Sequence, residues 1–319
     1  HSNTKQCATP FQILPNAPRI DSLKIRIPLS EVLLTNESLY DNFIELNEST
    51  GEVIPLGTKI KKFPTSETTS FKFAIRNVRT RKNHNEDCLI IMPTSKLLKS
   101  DYFNGIHLGN IDRLYKDLLS LGVFEIEYED FLQLECTDID IKADEVLNLD
   151  EWQEILEQFK SRTINSRESG RGYRFFRTSA NKPYQMGLQF SNRKTATISN
   201  PYLKLYWKGG ELLSESLAFY NEHLRDQISE DELLQIFRIE ATIKNKEHAF
   251  KLGLGSCKLI DLLTLQDSEL EAIIRSIISK HINTEVTERK HDLHQLTADK
   301  IIHIKAMEMI IANGTTLEE

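Results

Sequence analysis

The 319-residue chain is 39% hydrophobic and 27% charged, an ordinary soluble globular composition with enough length for one large core or two modest ones. Its four cysteines (Cys7, Cys88, Cys136 and Cys257) stand far apart with no C-x-x-C pair, which argues against a zinc site or a disulfide framework and points to the cytoplasm. No apolar run approaches the roughly 18–20 residues that span a bilayer, no secretory signal is expected from the pattern of the first residues, and the net charge of −7 at first sight argues against nucleic acid.

Residues 1–20 read as irregular, because Pro10, Pro15 and Pro18 block regular structure. From Asp21, the run Leu23-Lys24-Ile25-Arg26-Ile27-Pro28-Leu29 alternates apolar and basic residues and predicts a strand, with Pro28 confining it to an edge or an end. Phe71 to Ile75 and Cys88 to Met92 predict further strands, and Asn110 to Leu121 has helical spacing. Phe131 to Asp144 predicts a strand carrying Asp138 and Asp140, after which Asp150 is placed as the cap of a helix bearing Trp152, Ile155, Leu156 and Phe159. Strands are expected near Met186–Phe190, Ala196–Ser199 and Tyr202–Lys208, then a helix over Ser214 to Arg225 and a strand over Phe237 to Lys244. Helical patterns follow at Ser268 to His281 and Leu296 to Ile311. With no regular βαβ rhythm, the chain is expected to be α+β, a mainly antiparallel central sheet flanked by helices with a helical C-terminal region at 256–319.

The average charge conceals an asymmetry. Between Lys160 and Lys208 eleven basic residues face only Glu168, so this segment carries +10. That is the footprint of a polyanion partner. Its Arg162, Arg167, Arg171, Arg174, Arg177, Lys182, Arg193 and Lys194 are the expected DNA-binding residues, and Tyr173, Phe175 and Phe176 among them suit unpaired bases.

The segment Leu203-Lys204-Leu205-Tyr206-Trp207-Lys208-Gly209-Gly210-Glu211 is the most informative in the chain. Strand alternation puts Tyr202, Lys204, Tyr206 and Lys208 on one face, and the two glycines read as breaking the strand. A tyrosine flanked by ammonium groups is equipped to attack a phosphodiester, because the cations hold the phosphate and stabilise the developing charge. Alone, the same pattern equally describes a half-buried edge strand with a solvated Lys-Tyr-Lys face. Two other strands present Asp138 with Asp140 and Arg238 with Glu240. Two aspartates at i and i+2 plus a glutamate are a hard-oxygen set for Mg²⁺ or Mn²⁺, although an exposed acidic face and a cross-strand ion pair explain them too.

Order and spacing of these pieces resemble the replication initiators of the filamentous-phage gene II type and the related rolling-circle plasmid Rep proteins. The resemblance is carried by residues 21–28, Thr137-Asp138-Ile139-Asp140, Leu203 to Leu212, Phe237-Arg238-Ile239-Glu240 and Gly253-Leu254. It implies a catalytic DNA-nicking domain over 21–255, with Tyr206 as the nucleophile that forms a 5′-phosphotyrosyl bond. Lys208 would contact the scissile phosphate, Arg238 would bind phosphate or orient Glu240, and Asp140 and Glu240 would hold the metal; the strand pattern itself adds Lys204 to the catalytic set and Asp138 to the metal set. The partner implied is single-stranded or hairpin origin DNA, with a host helicase or polymerase beyond it. Two departures stand out: Asp138 occupies a position where the family more often has arginine, and no His-apolar-His triplet occurs. A transfer relaxase shares the chemistry; a non-catalytic DNA-binding replication protein and a carboxylate-dependent nuclease are the alternatives from other classes.

Overall fold

The structure, a computed structural model, describes residues 14–15, 17–40, 42–46, 53–79, 85–164, 172–180, 183–191 and 202–283. Its strands are β1 (Arg19–Pro28), β2 (Leu33–Leu34), β3 (Asn42–Leu46), β4 (Val53–Thr58), β5 (Lys61–Pro64), β6 (Ser70–Arg79) and β7 (Asn85–Ile91), followed by β8 (Phe124–Glu125), β9 (Glu135–Val146), β10 (Gly172–Phe176), β11 (Gly187–Ser191), β12 (Leu203–Tyr206) and β13 (Ile236–Ile243). The α-helices are α1 (Ile111–Ser120), α2 (Tyr128–Gln133), α3 (Leu149–Ser161), α4 (Lys208–Glu215), α5 (Leu217–His223), α6 (Glu230–Leu233), α7 (Lys246–Lys251), α8 (Leu259–Leu263) and α9 (Asp267–Ser279). A nine-stranded sheet runs in the order β10-β11-β12-β13-β9-β1-β7-β6-β5, with antiparallel pairing, so the expected α+β class is observed.

The chain forms two compact units that alternate along it. The first comprises residues up to Pro18, Lys142–Ala241 and Asp267 onward; the second comprises Arg19–Ile141 and Thr242–Gln266. Their boundaries fall inside β9 and β13, so each of these strands contributes to both, and the expected 21–255 domain is shared between them.

In the second unit, β1 behaves as its alternation dictates. Leu23, Ile25 and Ile27 are buried, and β1 pairs with β7 through Ile25↔Ile91 and Ile27↔Leu89. On the other face Ser22 donates to Asp140 at 2.6 Å, Lys24 pairs with Asp138, and Arg26 pairs with Glu135 at 3.0 Å. The β1 partners are two residues apart throughout, whereas the β9 partners are spaced three and then two. The extra residue is absorbed at Asp138, whose φ of +47° marks a bulge in the left-handed region that aspartate tolerates better than most residues.

In the first unit, β10 to β13 form an antiparallel run whose buried residues include Leu188, Phe190, Leu203, Leu205 and Ile239. Helix α3 buries Trp152, Ile155, Leu156 and Phe159 as its spacing predicts. Its cap is Asn148 rather than Asp150: the Asn148 side chain accepts from Glu151 N at 2.9 Å and Glu151 returns the bond to Asn148 N at 2.9 Å. A reciprocal capping box at Asn-x-x-Glu satisfies two end groups at once, which starts the helix earlier. Helix α9 buries Leu270, Ile273, Ile274, Ile277 and Ile278, and the chain beyond it binds back through Ile164 N to His281 O and Asn283 N to Arg162 O.

Other expected elements shift. The strand expected from Phe131 begins at Glu135, because Phe131 and Leu132 bury their side chains from α2. The expected helix over Ser214 to Arg225 is two helices parted at Ser216, whose φ is −136°. Ala196–Ser199 and Leu296–Ile311 lie outside the described residues. The three described cysteines are free and buried, and burial raises each thiol, that of Cys88 to about 11. Among the described residues no helix is long and apolar enough to cross a membrane.

Candidate active site

Strand register in the first unit sets the site. Across four strands two rows align: Arg174, Gln189, Lys204 and Glu240 in one, and Phe176, Gly187, Tyr206 and Arg238 in the next. Leu203 and Leu205 point into the core, which turns Lys204 and Tyr206 to the opposite, half-buried face. Gly187 is required beside Tyr206, since a Cβ there would run into the Leu205 carbonyl and lie 3.0 Å from the Tyr206 Cβ.

The strand ends sooner than its alternation predicts. Trp207 caps α4, so Lys208 occupies the first helical position instead of a third strand position. The two glycines do not break structure; they allow close packing in that helix. A Cβ on Gly209 would collide with the Leu233 carbonyl, and one on Gly210 would lie 2.7 Å from the Tyr184 Cβ. Lys208 nevertheless remains with Tyr206, its Nζ 5.6 Å from the ring centroid, buried and paired with Glu211.

Glu240 gathers the site. Its side chain is only 5% exposed; it pairs with Lys204 through Oε1, and the Tyr206 hydroxyl donates to Oε2 at 3.0 Å. A phenol directed at a buried carboxylate, itself fixed by a cation, is the geometry of a nucleophile, its base and a group that orients the base. Lys204, Tyr206, Lys208 and Glu211 line a cleft of about 450 Å³ together with Phe176, Tyr184, Gln189 and Ser214, and Glu240 lies behind Lys204 and Tyr206.

Arg238 stands next to Tyr206 in register but is wholly buried, holding Asp144 at 2.5 Å through Nε and at 2.8 Å through Nη2. Lys142 Nζ lies 3.3 Å from the same carboxylate, with both side chains 1% exposed. Sequence reasoning missed this buried cluster, although the alternation Asp138, Asp140, Lys142, Asp144 continues through it. Beside it, Glu145 is pushed up to about 7, first by burial and then by the Asp144 charge. Gly187 was also missed, and Glu211, named as the end of the tyrosine segment, was given no role there; it pairs with Lys208.

Asp138 and Asp140 belong to the second unit and Glu240 to the first. Asp138 is engaged by Lys24, while Asp140 accepts from Ser22 and from Thr242 Oγ1 at 2.6 Å. Among the described residues no three His, Cys, Asp or Glu side chains converge into a group able to hold a metal ion. With both oxygens of Glu240 already accepting from Lys204 and Tyr206, the donors present do not form a ready-made Mg²⁺ or Mn²⁺ cage.

Of the expected DNA-binding residues, Arg167, Arg171, Lys182, Arg193 and Lys194 lie outside the described residues. Arg174 sits over the Phe176 ring at 4.6 Å, while Arg177 and Lys160 flank Phe175 at 5.2 and 4.9 Å. Arg177 also reaches Glu157 at 3.2 Å, and Arg162 closes the end of α3. Strand β10, at one end of the sheet order, therefore brings Arg174 into the Lys204 row and the Phe176 ring into the Tyr206 row. No protein-family model, curated protein or solved structure matches the chain.

Proposed function

We propose that the chain nicks and rejoins single-stranded origin DNA by transesterification through Tyr206, in the manner of rolling-circle replication initiators. What carries the reading is that Tyr206, which lines a cleft with Lys204 and Lys208, donates its hydroxyl to the buried, Lys204-paired carboxylate of Glu240. Glu240 takes the phenolic proton as the Tyr206 oxygen attacks phosphorus. The bond to phosphorus forms, the bond from phosphorus to the 3′ oxygen breaks, and that oxygen leaves with the proton returned from Glu240. The reverse path reseals the strand. Lys204 and Lys208 offset the charge that accumulates on the phosphate oxygens. A transfer relaxase performs the same chemistry, and the two differ in the DNA they recognise.

The test is incubation with a labelled single-stranded origin oligonucleotide, with Mn²⁺ and with chelator, followed by denaturing electrophoresis. A covalent adduct is expected with the native chain and none with Tyr206→Phe. Glu240→Gln should slow adduct formation by about 10²–10⁴-fold with DNA binding little changed. An adduct that survives Tyr206→Phe overturns the assignment. Binding without any adduct favours the non-catalytic reading, and free cut ends without an adduct favour a nuclease.

A further inference from the structure

We infer that the cleft in front of Tyr206 is a pocket for one unpaired nucleotide of the DNA strand, its base lying against Phe176 and Tyr184 and its edge read by Gln189. The inference rests on the transesterification reading and adds to it a residue-level source of sequence preference.

The first argument is size. A cleft of about 450 Å³ falls in the range of roughly 300–1,000 Å³ that encloses a small ligand, and suits one nucleotide rather than a track for many. The second is the spacing of its aromatic walls. Phe176 and Tyr206 occupy one row two strands apart, which places their Cα atoms roughly 10 Å apart. The residue between them is Gly187, which raises no side chain between the two rings. Tyr184 forms a further wall, fixed edge-on against Trp207 with centroids 5.5 Å apart and planes at 71°. Gly210 lets α4 close onto Tyr184, so this wall is built by packing and not by a loose side chain.

The third argument is polarity. Gln189 lies in the adjoining row, between Arg174 and Lys204, half-buried on the cleft side. A primary amide donates and accepts side by side, which matches N6 and N7 of adenine, so adenine is the base this pocket favours. Lys204 and Lys208 supply cations beside the Tyr206 hydroxyl, where the nucleotide's phosphate must lie for attack. A base still paired and stacked in a duplex cannot reach such walls, so the occupant is unpaired.

The experiment uses the full chain and single-stranded oligonucleotides in which one 2-aminopurine is moved a position at a time. Its fluorescence is expected to change at one position, next to the phosphate that Tyr206 engages. Tyr184→Ala should abolish that change and weaken binding roughly 5- to 150-fold, the scale of one lost base–aromatic stack. Gln189→Ala, a substitution on the half-buried sheet face, should keep the fold by circular dichroism and erase the preference for adenine over the other bases in competition binding. An equal response at every position, or a positional response that neither substitution alters, overturns the pocket. A positional signal without a covalent adduct leaves the pocket standing and removes the Tyr206 chemistry. An adduct formed equally with all four bases and no positional signal does the reverse.

Discussion

Glu240 and Asp144 are both buried carboxylates held by cations, yet their surroundings assign them different work. Glu240 accepts a tyrosine hydroxyl that lines a cleft, whereas Asp144 is enclosed by Arg238 and Lys142. Removing one member of a buried ionic cluster strands its partner without solvent, so Arg238→Ala should cost about 3–5 kcal/mol in urea unfolding. Arg238→Lys should recover only part of that, because an ammonium cannot make the two-pronged contact. Glu145 gives the cluster a pH dependence. Its carboxyl is raised from 4.5 to about 7, so between these values the unfolded chain has released a proton that the folded chain retains. Stability therefore falls as pH climbs through this window, by up to about 3 kcal/mol once Glu145 ionises in both states. Glu145→Gln should flatten that decline in melting temperature between pH 4.5 and 8, and leave stability below pH 4.5 unchanged.

At the scale of elements, the join between β12 and α4 determines what Tyr206 can do. Only Trp207 separates the last strand residue from the first helical one. That tight join depends on Gly209, which lies against the Leu233 carbonyl where no Cβ fits. Gly209→Ala should destabilise the chain by about 1–3 kcal/mol, the usual cost of overpacking, and slow the Tyr206 reaction by displacing Lys208. Gly255→Ala, where a Cβ meets nothing within 4 Å, is the control and should change little in thermal melts. The alternation of β1 was legible because from Leu23 to Ile27 every second residue is apolar and buried. The fate of Gly209 and Gly210 was not, because a glycine that ends a strand and one that lets two helices touch look alike in sequence. Asn148 was hidden for a related reason: two residues away stands an equally good cap, and only the reciprocal bond from Glu151 decides between them.

For the whole molecule, the concentration of positive charge was legible from counting alone, and the structure adds where its described part sits. Arg174 and Arg177 lie at the β10 end of the sheet order with rings between them. The Arg177 pair with Glu157 is solvent-exposed and worth little, so it does not hold that arginine from a phosphate. Single-stranded binding should weaken steeply with salt, and Arg174→Gln and Arg177→Gln should each lower the slope of log K against log salt by about 0.7. Fluorescence anisotropy across a salt series measures this. Tyr206, Lys204 and Glu240 were legible because strand alternation puts them on one face, whereas Lys208 reaches the tyrosine ring from the first turn of α4. Asp138 and Asp140 were equally legible as a pair, but which donors would occupy them depends on β1, more than a hundred residues away.

The way the backbone passes out of one unit and back, twice over, sets terms for anyone who cuts the gene. Neither unit corresponds to one continuous reading frame, since residues 142–241 interrupt one and residues 242–266 interrupt the other. A clone ending at Gln266 would omit α9, and with it five core side chains and the backbone bonds that tie residues 162 and 164 to 281 and 283. A shortened chain that keeps the first unit whole must therefore carry both 142–241 and α9 on one polypeptide.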